Sequence, residues 1–462
     1  MNKSFLWHDY ETWGINPAHD KIAQFAAIRT DYDFNIIGDP IKLYCQLPKD
    51  YLPSPQAMLV THLIPQVVNE KGLTEPQFIK KIHDTMTVAH TCSVGYNSIR
   101  FDDEVTRYAL YRNFYDPYER EWKNHNSRWD IIDLIRACYA LRPDGIQWYF
   151  IDDKPSFKLA YLSKVNHINH DMAHDALSDV YATIGLAKLI KEKQPKLFEW
   201  YFKLRNKKEV KKEIDTINMK PFIHVSGFFS SQFACCSILM PMLWDYNNNN
   251  ALITLDLRYD PKILFDLSIE EIIEKRYEKG SDIKIPIHTI SINKCPFIAP
   301  IGILKQDETI YDRIQLDKNT VGKHLDFVKA HHHQIKDIIH QLLEKAQQKE
   351  QHYLDAESAL YQNFFSDHDK VIMSEIRQTL PEKISHLHPQ FTDKRLSELF
   401  FLYKSRWFPH LLNETELYQW HAHCQEKLNN QAYFNQLNEI YETESDENKK
   451  LLGQLITYIK SL

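Results

Sequence analysis

The stretch "WHDYETWG", Trp7 to Gly14, decides how the chain is read. It follows the apolar residues Phe5 and Leu6 and reads as the end of a first strand, Ser4–Tyr10. Two acids, Asp9 and Glu11, sit one residue apart there. A strand alternates its faces with period two, so both project to one side with Cα atoms about 6.6 Å apart. Carboxylates so placed can converge on metal ions spaced about 3.5–4 Å apart. They repel one another unless a positive charge lies between them, and a divalent cation is the usual solution. Taken alone, D-x-E also fits an ordinary solvated strand end. A glycosidase pair is less suitable, because its carboxyls must oppose each other across a sugar.

Working outward, "IAQFAAIRTDYDFNIIGDPIKLYCQ" (22–46) reads as two more strands with a turn at "TDYDFN". "TEPQFIKKIHDTM" (74–86) reads as a helix capped by Thr74, with Pro76 in its first turn. "HTCSVGYN" (90–97) is a buried strand candidate. "FDDEVTRYALYRNF" (101–114), "RWDIIDLIRACYAL" (128–141) and "HDALSDVYATIGLAKLIKEK" (174–193) have helical periodicity, the last stopping at Pro195. Meandering strands followed by alternating helix and strand predict an α/β domain over residues 1–195. A basic helix-like linker, "LRNKKEVKKE", comes next. Short apolar runs broken by turn residues then predict a small, mostly β domain over 196–345. From 350 to 462 Gly and Pro are few and the periodicity is helical, which predicts an all-helical domain.

Composition limits the function classes. The 462 residues are 43% hydrophobic and 26% charged, a globular balance too large for one ordinary core. The longest uncharged run, Val225–Trp244, holds four Ser, Gln232 and Pro241, so it reads as strands and turns and no membrane span is expected. The N-terminal apolar run is too short for a signal peptide. Seven scattered Cys with no CxxC suit a reduced cytoplasm and argue against a zinc site. Net charge is −6, of which −5 falls in residues 351–462. Any site for a polyanion must therefore be a local patch on a nearly neutral body.

The far end of the first domain bears on the opening acids. "HDALSD" places His174 and Asp179 five apart, about 140° on an ideal helix, so they do not share a face. Asp179 can stand firmly on the helix while His174 lies in the loop or first turn before it. Asp175 reads equally well as a helix cap. Between these ends, "IRFDDE" supplies Asp102 and Asp103 at a helix start, and spacing does not choose between them. The stretch Thr106–Trp129 interleaves Arg107, Arg112, Tyr118, Trp122, Arg128 and Trp129. Aromatic rings stack bases without reading them, while Arg tracks phosphates, which suits sequence-independent single strands. Tyr108, Tyr111 and Phe114 at helical spacing read mostly as core. Arg107, Tyr118 and Trp122 are the candidate strand contacts, and Thr12 and Trp13 join them by adjacency to the acids.

Asp-x-Glu on the first strand, Asp in the middle and His-x4-Asp on the last helix resemble the DEDD exonuclease superfamily, in the branch with His. The longer phrases "HDYETWG", "AQFAAIRTD", "GYNSIRFDDEVTRYALYRNFYDPY", "NSRWDIIDLIRACYALRPDGI", "AHDALSDVYATI", "MKPFIHVSG" and "INKCP" resemble bacterial exonuclease I over nearly the whole chain. The resemblance implies an RNase H-like α/β exonuclease domain, an SH3-like domain and a helical C-terminal domain. It implies Mg²⁺-dependent 3′ to 5′ hydrolysis of single-stranded DNA to 5′-mononucleotides, in DNA repair and recombination, with two ions per site. By position, Asp9, Glu11, Asp102 and Asp179 become the metal-site acids, with Asp9, Glu11 and Asp179 as direct ligands, and His174 the general base. Asp102 is selected over Asp103 as the first acid after Phe101. Glu11 also becomes a substrate contact. In "PSFKL" Lys158 stands where the family carries Arg, which keeps a charge and loses the bidentate fork on phosphate. The resemblance further implies binding of the acidic C-terminal tail of single-stranded DNA-binding protein, for which Arg142 and Lys220 are the candidates. A monomer is expected. An RNA-trimming exonuclease fits less well, since those chains are short. A non-catalytic scaffold also fits less well, since all five catalytic positions are intact.

Overall fold

The computed structural model describes residues 3–170, 175–278, 280, 282–305, 307–347 and 355–462. The chain forms two compact units that do not follow its order. The first gathers residues 1–127, 170–183 and 353–462; the second gathers 128–169 and 184–352.

In the first unit, β1 (Ser4–Thr12) lies between β2 (Ile22–Thr30) and β4 (Thr91–Gly95), with β3 (Ile41–Tyr44) beyond β2. β1 is antiparallel to β2 and parallel to β4. Eight of its nine residues are buried, so the acids at its end leave a packed strand and not a frayed tip. The pairing sets Asp9 opposite Ala26 and Glu11 opposite Gln24, and the register slips between Glu11 and Thr12. Helix Glu75–Met86 begins directly after Thr74 with Pro in its first turn, yet the Thr74 side chain accepts no capping bond. It packs Phe78, Ile79 and Ile82 onto Leu6, Tyr10 and Phe25, joined by Val105, Ala109 and Leu110 of helix Asp102–Arg112. Tyr111 and Phe114 are fully buried, packed against Leu360, Met373, Leu396 and Leu399 of the helical C-terminal region.

A buried ionic network also ties that region to the sheet. Lys21 Nζ donates to Glu357 at 2.8 Å, and Arg406 donates to both Glu357 and Asp50, at 2.8 and 2.6 Å. The charges are satisfied mutually, so losing one member would leave its partner buried and unpaired. The Arg406 guanidinium holds the Asp50 carboxyl below the usual range, and Arg406 and Lys21 do the same for Glu357.

In the second unit, strand Ser127–Asp130 leads into helix Ile132–Leu141. The periodicity of "RWDIIDLIRACYAL" had suggested helix throughout; its first residues are strand. Strands Ile287–Ser291, Ala251–Asp256, Cys236–Trp244, Phe222–Val225 and Phe297–Pro300 lie side by side in that order, all antiparallel. Two long helices, Lys318–Ala330 and His332–Gln347, follow the sheet. Every cysteine is free. Among the described residues no helix is long and apolar enough to cross a membrane.

Candidate active site

Three elements of the first unit meet at the end of β1. The strand brings Asp9 and Glu11, and helix Ala176–Lys193 brings Asp179. One carboxylate oxygen from each of the three lies within 4.8 Å of the others. Asp102, buried in the first turn of its helix, adds its charge to both Asp9 and Glu11.

The helix carrying Asp179 is held by contacts that spacing alone does not reveal. Gln24, opposite Glu11 on β2, accepts the backbone N–H of Ala176 at 2.9 Å. Asp175 accepts from the N–H groups of Leu177 and Ser178, as an N-terminal cap does, and is paired with Lys42 of β3. A ring nitrogen of His170, Nε2, meets Asp179 Oδ1. Gln24, Lys42 and His170 were not singled out in the sequence. A glutamine opposite an acid in a neighbouring strand carries no local signal. His174, the expected base, lies outside the described residues.

The electrostatics are those of an anion cluster. Burial first, then the charges of Asp102, Asp179, Glu11 and Asp175, hold the Asp9 carboxyl well above its ordinary range. Glu11 is pushed up to about 8, again by burial first and then by Asp179, Asp102 and Asp175. Among the described residues neither Asp9 nor Glu11 has a basic partner; Lys42 and His170 are taken by Asp175 and Asp179. Convergent carboxylates held above their ordinary range by burial and by one another's charge fit a hard divalent cation. Asp103 is excluded from the cluster. It is buried in an ion pair with Arg120 at 2.6 Å.

Known proteins resemble the chain over its whole length. Residues 6–187 match the exonuclease family model, 205–345 the exonuclease I SH3-like domain and 354–462 the exonuclease I C-terminal domain. Exodeoxyribonuclease I of Haemophilus influenzae is 44% identical over 98% of both chains. The chain belongs to the exodeoxyribonuclease I family. Among solved structures of that family, the zinc-bound form of the E. coli exonuclease I–single-stranded DNA complex is 39% identical. It covers 100% of this chain and 99% of its own, with a TM-score of 0.95. A structure of SSB and exonuclease I with an inhibitor is 39% identical and covers 100% of both chains, with a TM-score of 0.92.

The remaining candidates of this exodeoxyribonuclease I family member are placed as follows. Thr12 is buried and its hydroxyl donates to the Gly14 carbonyl at 2.6 Å. Trp13, one residue past the end of β1, is fully buried with Ala23, Leu47, Val68 and Tyr458. Arg107 is engaged by two acids. It is 6% exposed, with Nε and Nη2 on Glu121 and Nη1 on Glu104 and Tyr361. Tyr118 is half-buried with the Arg107 guanidinium 5.3 Å from its ring centre, and Trp122 is 63% exposed. In the second unit, Lys158 is exposed, its ammonium 5.7 Å from the Tyr161 ring centre. Arg142 is half-buried and donates to the Leu141 carbonyl, and Lys220 is exposed.

Proposed function

We propose that this enzyme removes 5′-mononucleotides from the 3′ end of single-stranded DNA in a Mg²⁺-dependent reaction. The observation that carries this is the convergence of Asp9, Glu11 and Asp179 within 4.8 Å, without a basic partner for the first two. These three would hold the ions, two per site, and Asp102 would supply further negative charge. The chemistry that bound Mg²⁺ supplies is acidification of the attacking water and charge compensation at the leaving 3′-oxygen. His174 takes the water's proton near neutral pH, the range in which an unperturbed imidazole, with a pKa of about 6.5, can do so. Gln24, through Ala176, and the Lys42–Asp175 pair fix the helix from which Asp179 reaches the strand.

Thr12, Tyr118, Trp122 and Lys158 are the strand contacts favoured by their chemistry; for Trp13 and Arg107 a contact requires movement out of their buried positions. The setting is DNA repair and recombination in the cytoplasm, with the enzyme acting as a monomer. The test is digestion of 5′-labelled single-stranded and duplex DNA of one sequence. Shortening from the 3′ end is expected with Mg²⁺, far faster on the single strand, and none in EDTA. Equal rates on both substrates would remove the single-strand assignment, and digestion in EDTA would remove the metal.

The relative solved with SSB supports a second contact, to the acidic tail of single-stranded DNA-binding protein. Arg142 and Lys220 are its candidate cations. A rim charge in an acidic-peptide site governs partner binding more than chemistry. Arg142→Ala should weaken binding of a tail peptide and slow digestion of protein-coated DNA, with naked-strand hydrolysis much less affected. Peptide binding equal to the parent's would take Arg142 out of the site. Equal losses on coated and naked strands would place it in the DNA path.

A further inference from the structure

The SH3-like segment contains a cavity of about 90 Å³ that the proposed hydrolysis does not use. Its wall is aromatic, from Phe228, Phe229, Phe233, Tyr259 and His288, with one acid, Asp256. The rings come from three places: the loop after strand Phe222–Val225, the turn leaving strand Ala251–Asp256, and strand Ile287–Ser291. Phe228 and Phe229 lie 4.4 and 5.2 Å from His288 between ring centres. Phe228 is nonetheless 65% exposed, so the rim of the cavity offers a ring to solvent.

Asp256 is only 4% exposed. Its Oδ1 accepts from the Ser237 hydroxyl and, at 3.0 Å, from the Arg258 backbone N–H. No donor among the described residues reaches Oδ2. Asp256 lines the cavity, so the oxygen left without a donor keeps access to it and can accept there from water or from a ligand. The Arg258 guanidinium stacks over Phe233 at 4.0 Å and donates to the carbonyls of Cys236, Ile314 and Gln315. Its charge offsets that of Asp256, so a second cation in the cavity would face it. A neutral flat ring with an N–H donor suits the lining better than an ammonium group does.

We propose that this cavity seats one nucleobase of the DNA strand, an amino-bearing ring such as cytosine or adenine, whose exocyclic N–H donates to Asp256 Oδ2 while Phe228 and His288 cover the ring. The inference rests on the single-strand reading above. It adds a base-recognising subsite to an enzyme whose other strand contacts are indifferent to sequence. Carboxylates accept from the cytosine amino group in known base readout, and base–aromatic stacking is tolerant of sequence, so the two contacts separate in experiment.

The test is equilibrium binding of labelled oligo(dC) and oligo(dT), in EDTA so that neither is cut, by the full-length parent, Phe228→Ala and Asp256→Asn. The parent is expected to prefer oligo(dC). Phe228→Ala, at an exposed position that folding tolerates, should weaken both oligomers by roughly fivefold. Asp256→Asn keeps an acceptor for Ser237 and Arg258 and turns a donor toward the base, so it should abolish the preference for oligo(dC). Phe228→Ala binding both oligomers as the parent does would overturn the proposal. So would a lysine-rich peptide that binds the parent, fails to bind Phe228→Ala and does not compete with oligo(dC), since the occupant would then be a cationic partner. A parent that neither binds nor digests single strands would instead defeat the single-strand reading. A parent that digests them while Phe228→Ala changes nothing defeats the cavity alone.

Discussion

Asp9→Ala should lower hydrolysis of a single strand by at least ~100-fold, equivalent to about 2.7 kcal/mol of barrier, while leaving the protein folded. Asp179→Ala should do the same. Both carboxylates contribute an oxygen to a cluster spanning no more than 4.8 Å, so neither loss can be covered by the other. The fold should tolerate the change because the metal-free site is a source of repulsion. Burial and four neighbouring acids already hold the Asp9 carboxyl well above its ordinary range. Removing one acid relieves the others, and the midpoint of thermal unfolding in EDTA is expected to hold or rise. Asp9→Asn, which keeps the volume, guards against a cavity effect. His174→Ala should also be severely impaired, yet still bind Mg²⁺ in a calorimetric titration, since it takes a proton and holds no ion. Retention of more than a tenth of the parent's rate by Asp9→Ala or Asp179→Ala would falsify the two-metal assignment.

The sequence carried the acids further than it carried their surroundings. Asp9 and Glu11 were legible because strand alternation is local: two residues on, the same face returns. Asp179 was legible as a helical position for the same reason. The choice between Asp102 and Asp103 was not legible in the spacing and came only from the family resemblance. It depends on Arg120, seventeen residues downstream, which returns to bury an ion pair with Asp103. Nothing in "FDDE" announces that pairing. The surroundings of Arg107 were only half legible. An Arg among aromatics suggests phosphate, and the neighbouring Glu104 was a visible i−3 partner, but Glu121 reaches the same guanidinium only because the chain turns back after helix Asp102–Arg112. Trp13 packs in the core with Tyr458 from the last helix of the chain, a contact that adjacency to the acids does not show.

The composition breaks at about 195 and 350 enclose a five-stranded sheet together with several helices, and the chain beyond the second is helical. They could not reveal that residues 353–462 gather into one compact unit with the catalytic sheet. That association uses Lys21, Asp50, Glu357 and Arg406, charged residues that read individually as surface. Buried ion pairs between segments hundreds of residues apart leave no periodic trace.

In EDTA, stability should fall as pH rises from about 6.5 to 8, and Glu11→Gln should flatten that fall. Glu11 keeps its proton in the folded protein up to about 8, whereas in the unfolded chain it loses it near 4.5. Between those values the folded state binds more protons than the unfolded state, so its advantage is complete below 4.5 and disappears as pH passes through 8. Other groups define the useful window. His8, buried and lowered to about 4, works in the opposite sense, but only up to its unfolded value of 6.5. Asp50 and Glu357, held low by Arg406, titrate below the window altogether. Above 6.5 the raised carboxyls of Glu11 and Asp9 act in the same direction, and 1.5 pH units of the Glu11 share amount to about 2 kcal/mol. Saturating Mg²⁺ replaces the proton with a charge that the carboxylates prefer ionised, so the stabilisation it confers should grow over the same range. Urea unfolding at pH 6.5 and 8, with EDTA and with Mg²⁺, measures both effects. A parent equally stable at the two pH values in EDTA, with the same slope as Glu11→Gln, would mean that Glu11 is ionised without metal, and the acids would then need some other positive partner.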